Sequence, residues 1–218
     1  MNFKEITKTT LNLVVFCAIV GFLLSFYNGL TSGPIAENQR REIEEVQKQL
    51  MDADQFDTVI DSEADPGMPH VWKAIKDGKM TGYVVKTQAS GYSSTQRITI
   101  MYSLSPDFKV MGVNIVSQGE TPGLGTNIEE DVDLGQFGGK PFVSQFEGKD
   151  LSALKIGSSP QPGDGYIAAI TGATVSSRAV TEGVHDSLEK LKSKLSGEPQ
   201  PGGDKPPAEE KQPQGQDE

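Results

Sequence analysis

The 218-residue chain contains one cysteine, two histidines and one tryptophan, and the first two shortages exclude several kinds of site. A single cysteine, Cys17, cannot form an intramolecular disulfide or a cluster of thiolate ligands. Neither His70 nor His185 has a second imidazole at metal-ligand spacing, so a zinc or haem site has little support. We therefore expect no metal.

Positive charge is also scarce. The chain has 20 Lys and Arg residues against 30 Asp and Glu residues, which gives a formal net charge of -10 at pH 7. A phosphate backbone would be repelled by such a surface. We expect no nucleic-acid partner.

One long apolar run lies near the N-terminus. The residues from Thr10 to Tyr27 carry no charge. At about 1.5 Å per residue, this run is just long enough to cross a hydrocarbon core of about 30 Å. Lys4 and Lys8 precede it, and no basic residue follows it until Arg40.

This charge distribution predicts how the chain lies in the membrane. The positive-inside rule favours a cytoplasmic N-terminus over residues 1–9 and one transmembrane helix over residues 10–28, with the rest outside. The location is then the inner or plasma membrane. A cleaved signal peptide is the alternative, because it shares the order of a basic start and an apolar run.

A second helical pattern follows the apolar run. Apolar residues recur among charges at helical spacing, which predicts an amphipathic stalk helix over residues 29–55; they are Ile35, Ile43, Val46, Leu50 and Met51. Turn-forming and acidic residues over 57–69 indicate a solvated loop.

The remaining residues predict one α+β domain over 56–195. Three runs, over 79–89, 95–105 and 108–118, alternate apolar and polar residues, which is typical of an antiparallel meander. A glycine-rich loop follows that is long enough to be functional or disordered. Two further strands are expected over 152–157 and 165–172.

A helix is expected to close the domain, and a tail follows it. The helix carries an apolar stripe formed by Val180, Val184, Leu188, Leu191 and Leu195. The tail over 196–218 consists of Pro, Gly, Gln and charged residues, and it is expected to be disordered because it cannot bury enough surface.

Two short segments are candidates for chemistry, GETPGLG at 119–125 and TGATVSS at 171–177. A strand followed by Thr-Gly-Ala-Thr and a helix leaves free backbone N–H groups at a helix start, which is a good place to bind a phosphate. The simpler interpretation is that the Ser and Thr residues only cap the helix. The simpler interpretation of the first segment is a surface turn.

Together these two motifs resemble the FMN-binding domain of the G subunit of the Rnf complex, and also that of the C subunit of sodium-pumping NADH:quinone oxidoreductase. Both families share one N-terminal transmembrane helix and one outer domain with this chain. The resemblance covers residues 82–195 and implies a twisted antiparallel sheet flanked by helices. The short layout without a large insertion resembles the Rnf G subunit more.

The resemblance also implies the site residues. In the family the last threonine of the motif is esterified to the phosphate of FMN, and that position is Thr174 here. The other implied cofactor-binding residues match the two motifs; they are Thr171, Gly172, Ala173, Val175, Ser176, Ser177, Glu120, Thr121, Pro122, Gly123, Leu124 and Gly125. Leu124 is expected to pack on a face of the flavin ring.

The resemblance implies an electron-carrying subunit of an ion-translocating ferredoxin:NAD oxidoreductase, with other membrane and iron-sulfur subunits as partners. The flavin does the redox chemistry, and no side chain acts as a catalyst. One position departs from the family pattern: Ala168 stands where an aspartate is usual. That departure favours the alternative, an anchored adaptor subunit without flavin.

A hydrolase using Ser187 and Lys190 as a Ser-x-x-Lys pair is a weaker hypothesis. Both residues lie in a charge-rich predicted helix, where exposed polar positions are the simpler explanation.

Overall fold

The computed structural model of the chain describes residues 3–129, 134–159 and 161–196. The predicted tail over 196–218 lies outside the described residues except for Ser196.

The first element, α1, is one helix over Phe3–Leu50, with Pro34 inside it. It joins the predicted transmembrane helix and the predicted stalk without a break between them. Its most apolar window has a mean hydropathy of 2.1 and buries none of its residues against the rest of the protein. A helix of this length and composition can cross a membrane.

The segment after α1 differs from the expectation. The helix ends at Leu50 rather than near residue 55, and two strands follow, β1 (Gln55–Ile60) and β2 (His70–Lys76). The expectation of a loop throughout residues 57–69 was therefore wrong for its first part. The register of β1 against β2 shifts between Thr58 and Ile60, and this irregularity disrupts the period-two pattern by which a strand is recognised.

The predicted meander is confirmed by β3 (Lys79–Ala89), β4 (Ile98–Leu104) and β5 (Val110–Ser117). With β1 and β2 they form one antiparallel sheet in the order β1-β2-β3-β4-β5. Each strand therefore pairs with its neighbour along the chain.

Both faces of this sheet are covered, because alternate residues of each strand point to opposite faces. On one face, Ile100 and Tyr102 pack with Val184 and Leu188 of the closing helix α2 (Thr174–Ser196). On the other face, a smaller core is formed by Val46, Met51, Ala74, Val84 and Met101. The end of the stalk is thus part of the domain.

The described parts of the glycine-rich segment contain short 3₁₀ helices over Gly125–Ile128, Gly135–Phe137, Phe142–Phe146 and Leu151–Ala153. Phe137, Phe142 and Phe146 are buried in the main core. The strands expected over 152–157 and 165–172 were wrong, because between them only one parallel bridge forms, Ile156 with Ile167. The backbone after Ile167 forms hydrogen bonds with side chains instead of with a neighbouring strand.

The sheet has a defined direction relative to α1. Gln39 and Ile43 of α1 line a groove with Gln88, at the end of β3, and with Ser117, at the end of β5. A Cβ at Gly82, near the start of β3, would instead contact Met51, just after α1. We call the end of the sheet containing Ala89, Ile98 and Ser117 the anchor-side end, because it faces back along α1 towards the apolar run.

Candidate functional site

The TGATVSS motif lies at the start of α2. Gly172 has a left-handed backbone, with φ of 83°, and the helix begins two residues later at Thr174. Thr171, Gly172, Thr174 and Val175 are exposed, whereas Ala173 is buried. The Thr174 hydroxyl is therefore accessible, and the first-turn N–H groups have no acceptors within their own helix.

Ser177 stabilises this helix start from the inside. Its hydroxyl donates to the Ala173 carbonyl at 2.9 Å and accepts the Ile170 N–H at 3.0 Å. The side chain is fully buried, and its two bonds connect the residue before the motif to the helix start. It orders the turn without facing the surface where Thr174 lies.

The GETPGLG motif follows β5 and runs into the 3₁₀ helix over Gly125–Ile128. Gly123 has a left-handed φ of 73°, and its N–H donates to Thr126 Oγ1 at 3.0 Å. This tight turn exposes Thr121, Pro122 and Leu124. The residue before the turn-forming segment, Glu120, is buried.

The structure brings the two motifs together. A Cβ built at Gly172 would lie 3.5 Å from Leu124 Cδ2, and among the described residues other than its chain neighbours no second atom lies within 4 Å. A Cβ at Gly125 would lie 2.7 Å from Ser176 Oγ and 2.6 Å from Glu120 Cβ. The lack of a side chain at Gly172 leaves open space beside Leu124. The lack of a side chain at Gly125 allows Glu120 and Ser176 to pack closely against it.

A buried carboxylate connects the two motifs by hydrogen bonds. Glu120 is 5% exposed, and its oxygens accept the backbone N–H groups of Tyr92 and Ser93, each at 3.1 Å. Ser176 Oγ donates to the same carboxylate at 2.5 Å. Three segments of the chain therefore meet at one side chain.

These hydrogen bonds decide the charge state of Glu120. Burial alone would raise its pKa, but the bonds from Ser176, Ser93 and Tyr92 outweigh burial, and the net pKa is lowered. The carboxylate is therefore ionised at neutral pH.

Sequence reasoning missed the contribution of residues 91–93. A Cβ at Gly91 would collide with the Glu120 carboxylate, so only glycine allows the chain to pass this close. The Gly-Tyr-Ser-Ser composition of residues 91–94 is typical of a turn. Nothing in its local pattern relates it to a carboxylate 27 or 28 residues away.

Two glutamines were also missed. Gln145 forms two hydrogen bonds with the backbone of Ala168, and Gln136 forms two with Ala169 and Thr171. Ala168 itself is fully buried. Single glutamines in a glycine-rich segment have no periodicity that could reveal such a role.

The site lies at the anchor-side end of the sheet. Gly183, nine residues into α2, packs on Ala89, with its Cβ position 2.9 Å from Ala89 Cβ. Further along α2, Ser187 bonds to Tyr102 at 2.8 Å, and Lys192 lies over the ring of Phe108. Since α2 runs away from that end, its N-terminus with Thr174 is on the side facing back along α1.

The Ser-x-x-Lys pair does not form. The expectation of an exposed polar position was wrong for Ser187, which is buried. Its burial is possible because its hydroxyl donates to the Gly183 carbonyl at 2.6 Å and bonds to the Tyr102 hydroxyl. Lys190 Nζ donates instead to the Gly67 carbonyl at 2.8 Å. The two groups have separate partners, which argues against a hydrolase.

Comparison with known proteins finds a matching family model and related chains. Residues 91–189 match the family model described as an FMN-binding domain. The chain is 33% identical over 190 residues to the G subunit of the proton-translocating ferredoxin:NAD(+) oxidoreductase complex of Clostridium ljungdahlii, covering 86% of this chain and 92% of that protein. It is 32% identical to the G subunit of the ion-translocating oxidoreductase complex of Methanosarcina acetivorans, covering 85% and 94%.

A crystal structure of Shewanella oneidensis NqrC is also similar in part. The match has a TM-score of 0.44 and 24% identity, and it covers 57% of this chain and 61% of that chain.

Proposed function

This chain belongs to the family of G subunits of ion-translocating oxidoreductase complexes, and we propose that it carries FMN as a phosphoester on Thr174. Membership of the family makes it a membrane subunit of a redox complex that contains other subunits. Its FMN-binding domain supports a flavin-binding, electron-transfer role. The attachment, the relay and the orientation are the proposed parts.

The observation that carries the proposal is that Thr174 is exposed at the first residue of α2, two residues after the left-handed Gly172. The residues present fit a phosphate there. In the part of the chain that the structure describes, Leu124 is the one residue outside the turn that lies within 4 Å of a Cβ at Gly172, and the N–H groups at the helix start can bind phosphate oxygens.

Each motif residue has a place in this proposal. The backbone of Thr171, Gly172, Ala173 and Val175 would hold the phosphate, and Leu124 would supply an apolar surface for the ring. Thr121, Pro122 and Gly123 form the turn that holds Leu124 outward. Four further motif residues are buried, and we propose that they order both motifs without touching the flavin; they are Glu120, Gly125, Ser176 and Ser177.

Attachment requires an activated flavin and a separate transferase. The Thr174 oxygen would bond to the phosphorus of a flavin dinucleotide, the phosphoanhydride would break, and the nucleoside monophosphate would leave. The hydroxyl proton would pass to a base of the transferase. When bound, the flavin supplies reversible electron transfer, and the protein supplies attachment and orientation.

The anchor-side position suits transfer to membrane partners. Gln39 and Ile43 lie 12 and 16 residues after Tyr27 in one helix, which corresponds to about 18–24 Å at about 1.5 Å per residue. We propose that the domain is extracytoplasmic and that the site faces the bilayer at about this height. Membrane and iron-sulfur subunits would donate and accept the electrons.

The second candidate is an anchored adaptor without flavin, and the observation that favours it is Ala168. The two candidates are separated by co-expressing the full chain with the transferase of its host and looking for flavin fluorescence in a denaturing gel. We expect a fluorescent band that Thr174→Ala abolishes.

Thr171→Ala is the matched control, because it removes a neighbouring hydroxyl on an exposed residue, and it should retain covalent flavin. Ser177→Ala should also retain it but load it more slowly, because it leaves the Ile170 N–H without its acceptor. Absence of fluorescence from the co-expressed wild-type chain would favour the adaptor. Fluorescence that persists in Thr174→Ala would show that the attachment site is elsewhere.

A further inference from the structure

The segment that leads into the proposed attachment site has an unusual set of backbone partners. Residues 168–171 have the composition of a strand, but they lie in no strand of the structure. Ala168 and Ile170 are buried, and buried backbone groups need hydrogen bonds. The Ile170 carbonyl accepts the Ala173 N–H, and the other partners described below are side chains.

Gln145 bonds to both backbone groups of one residue. Its Oε1 accepts the Ala168 N–H at 2.9 Å, and its Nε2 donates to the Ala168 carbonyl at 3.1 Å. Gln145 is 8% exposed and Ala168 is fully buried. The carboxamide thus replaces the N–H and carbonyl of a neighbouring strand.

Gln136 continues the same arrangement nearer to the site. Its Nε2 donates to the Ala169 carbonyl at 2.8 Å, and its Oε1 accepts the Thr171 N–H at 2.9 Å. Between these two bonds, the Ile170 N–H donates to Ser177 Oγ. The backbone is therefore held up to the residue before the left-handed Gly172.

Both glutamines belong to 3₁₀ helices that have aromatic residues buried in the core. Gln136 belongs to the 3₁₀ helix next to buried Phe137, and Gln145 lies beside fully buried Phe146. The glycine-rich segment thus connects the core to the segment before Thr174.

We infer that Gln136 and Gln145 are positioning residues that set the backbone of residues 168–171, and through it the turn that presents Thr174. The chemistry needs a carboxamide, because each side chain both donates and accepts. A carboxylate would lose the donor and would place a negative oxygen against a carbonyl oxygen. This inference rests on the proposed function only in taking Thr174 as the attachment residue.

The test compares Gln136→Glu and Gln145→Glu in the full, flavin-free chain, purified in detergent. Amide hydrogen exchange is followed by mass spectrometry for the segment 166–173 and, separately, for β4. At pH 7, Gln145→Glu should raise exchange of the segment about tenfold, as expected for the loss of a buried hydrogen bond. Gln136→Glu loses a partly buried bond and should raise it by a smaller factor of about three. Both should leave β4 protected. Gln88→Glu, an exposed change on β3, is the matched control and should alter neither.

A pH shift provides a signature that simple destabilisation would not produce. A protonated glutamic acid can donate a hydrogen bond. The ratio of the exchange rate of each glutamate variant to that of wild type at the same pH should therefore fall towards one below about pH 4.3. Gln136→Ala, which cannot be protonated, should show no such fall.

Flavin loading is measured on the same proteins with the transferase and a flavin dinucleotide. We expect slower loading in both glutamate variants than in Gln88→Glu. Unchanged exchange in residues 166–173, or an equal rise in β4, overturns the inference. If Gln145→Glu does not fold, the half-exposed Gln136 decides alone.

The two proposals fail separately in this design. Changed exchange with no flavin on any protein contradicts the proposed function but supports the positioning role. Normal loading with unchanged exchange contradicts only the positioning role.

Discussion

Removing the buried carboxylate of Glu120 should destabilise the domain and loosen both motifs. Glu120→Ala leaves the N–H groups of Tyr92 and Ser93 and the hydroxyl of Ser176 without their acceptor. An unsatisfied buried donor costs about 1–3 kcal/mol. Taking about 1 kcal/mol for each of the three donors, since water can enter the space left, we expect a loss of about 3 kcal/mol.

This loss can be measured as a shift in melting temperature. For a protein of this size, about 1 kcal/mol corresponds to about 2–4 °C, so Glu120→Ala should melt about 6–12 °C below wild type. The flavin-free chain in detergent can be followed by the fluorescence of its one tryptophan, Trp72. Glu147→Ala is the control, because Glu147 is exposed. A Glu120→Ala melting temperature equal to that of the control would refute the reasoning.

The same site predicts a pH dependence. Because the pKa of Glu120 is lowered in the folded protein, its carboxylate stabilises the fold above the unfolded pKa of about 4.3 and loses this effect as pH falls through the folded value. Glu120→Gln cannot ionise. The stability advantage of wild type over Glu120→Gln should therefore be full at pH 7 and shrink below about pH 4.3. A constant difference across that range would show that the carboxylate charge is irrelevant.

Three other changes test separate parts of the molecule. Gly172→Ala must adopt a left-handed φ of 83°, so it should cost about 1 kcal/mol and reduce flavin loading; loading at the wild-type rate would mean that the turn is not needed. Leu188→Ala removes a fully buried side chain and should cost about 2–5 kcal/mol, whereas Leu195→Ala, at an exposed position of the same stripe, should cost less than about 0.5 kcal/mol. Equal losses in denaturant unfolding would contradict the described face of α2. Thr174→Ser retains a hydroxyl and should keep some covalent flavin in a denaturing gel, unlike Thr174→Ala.

Features with a local pattern were predictable from the sequence. The stripe from Val180 to Leu191 identified α2 and its buried face, because helical periodicity depends only on neighbouring residues. The alternation in β3 and β4 identified the meander for the same reason. Glycine and threonine types marked the two motifs, and the structure brings Leu124 beside Gly172.

The remaining features depend on contacts that are distant in the sequence. β1 pairs through a shifted register, which disrupts its alternation. The segment 165–172 has the composition of a strand, but Gln136 and Gln145 satisfy its backbone instead. The carboxylate of Glu120 is paired with donors 27, 28 and 56 residues away, and no local pattern indicates such partners.

The most direct test of the central proposal is the mass of one peptide. Trypsin cleavage after Lys155 and Arg178 releases residues 156–178, which contain Thr174 and no other Lys or Arg within them. From the chain co-expressed with its flavin transferase, we predict this peptide to carry the added mass of FMN less one water, with fragmentation placing it on Thr174. The unmodified mass alone, or the addition on another residue, would contradict the proposal.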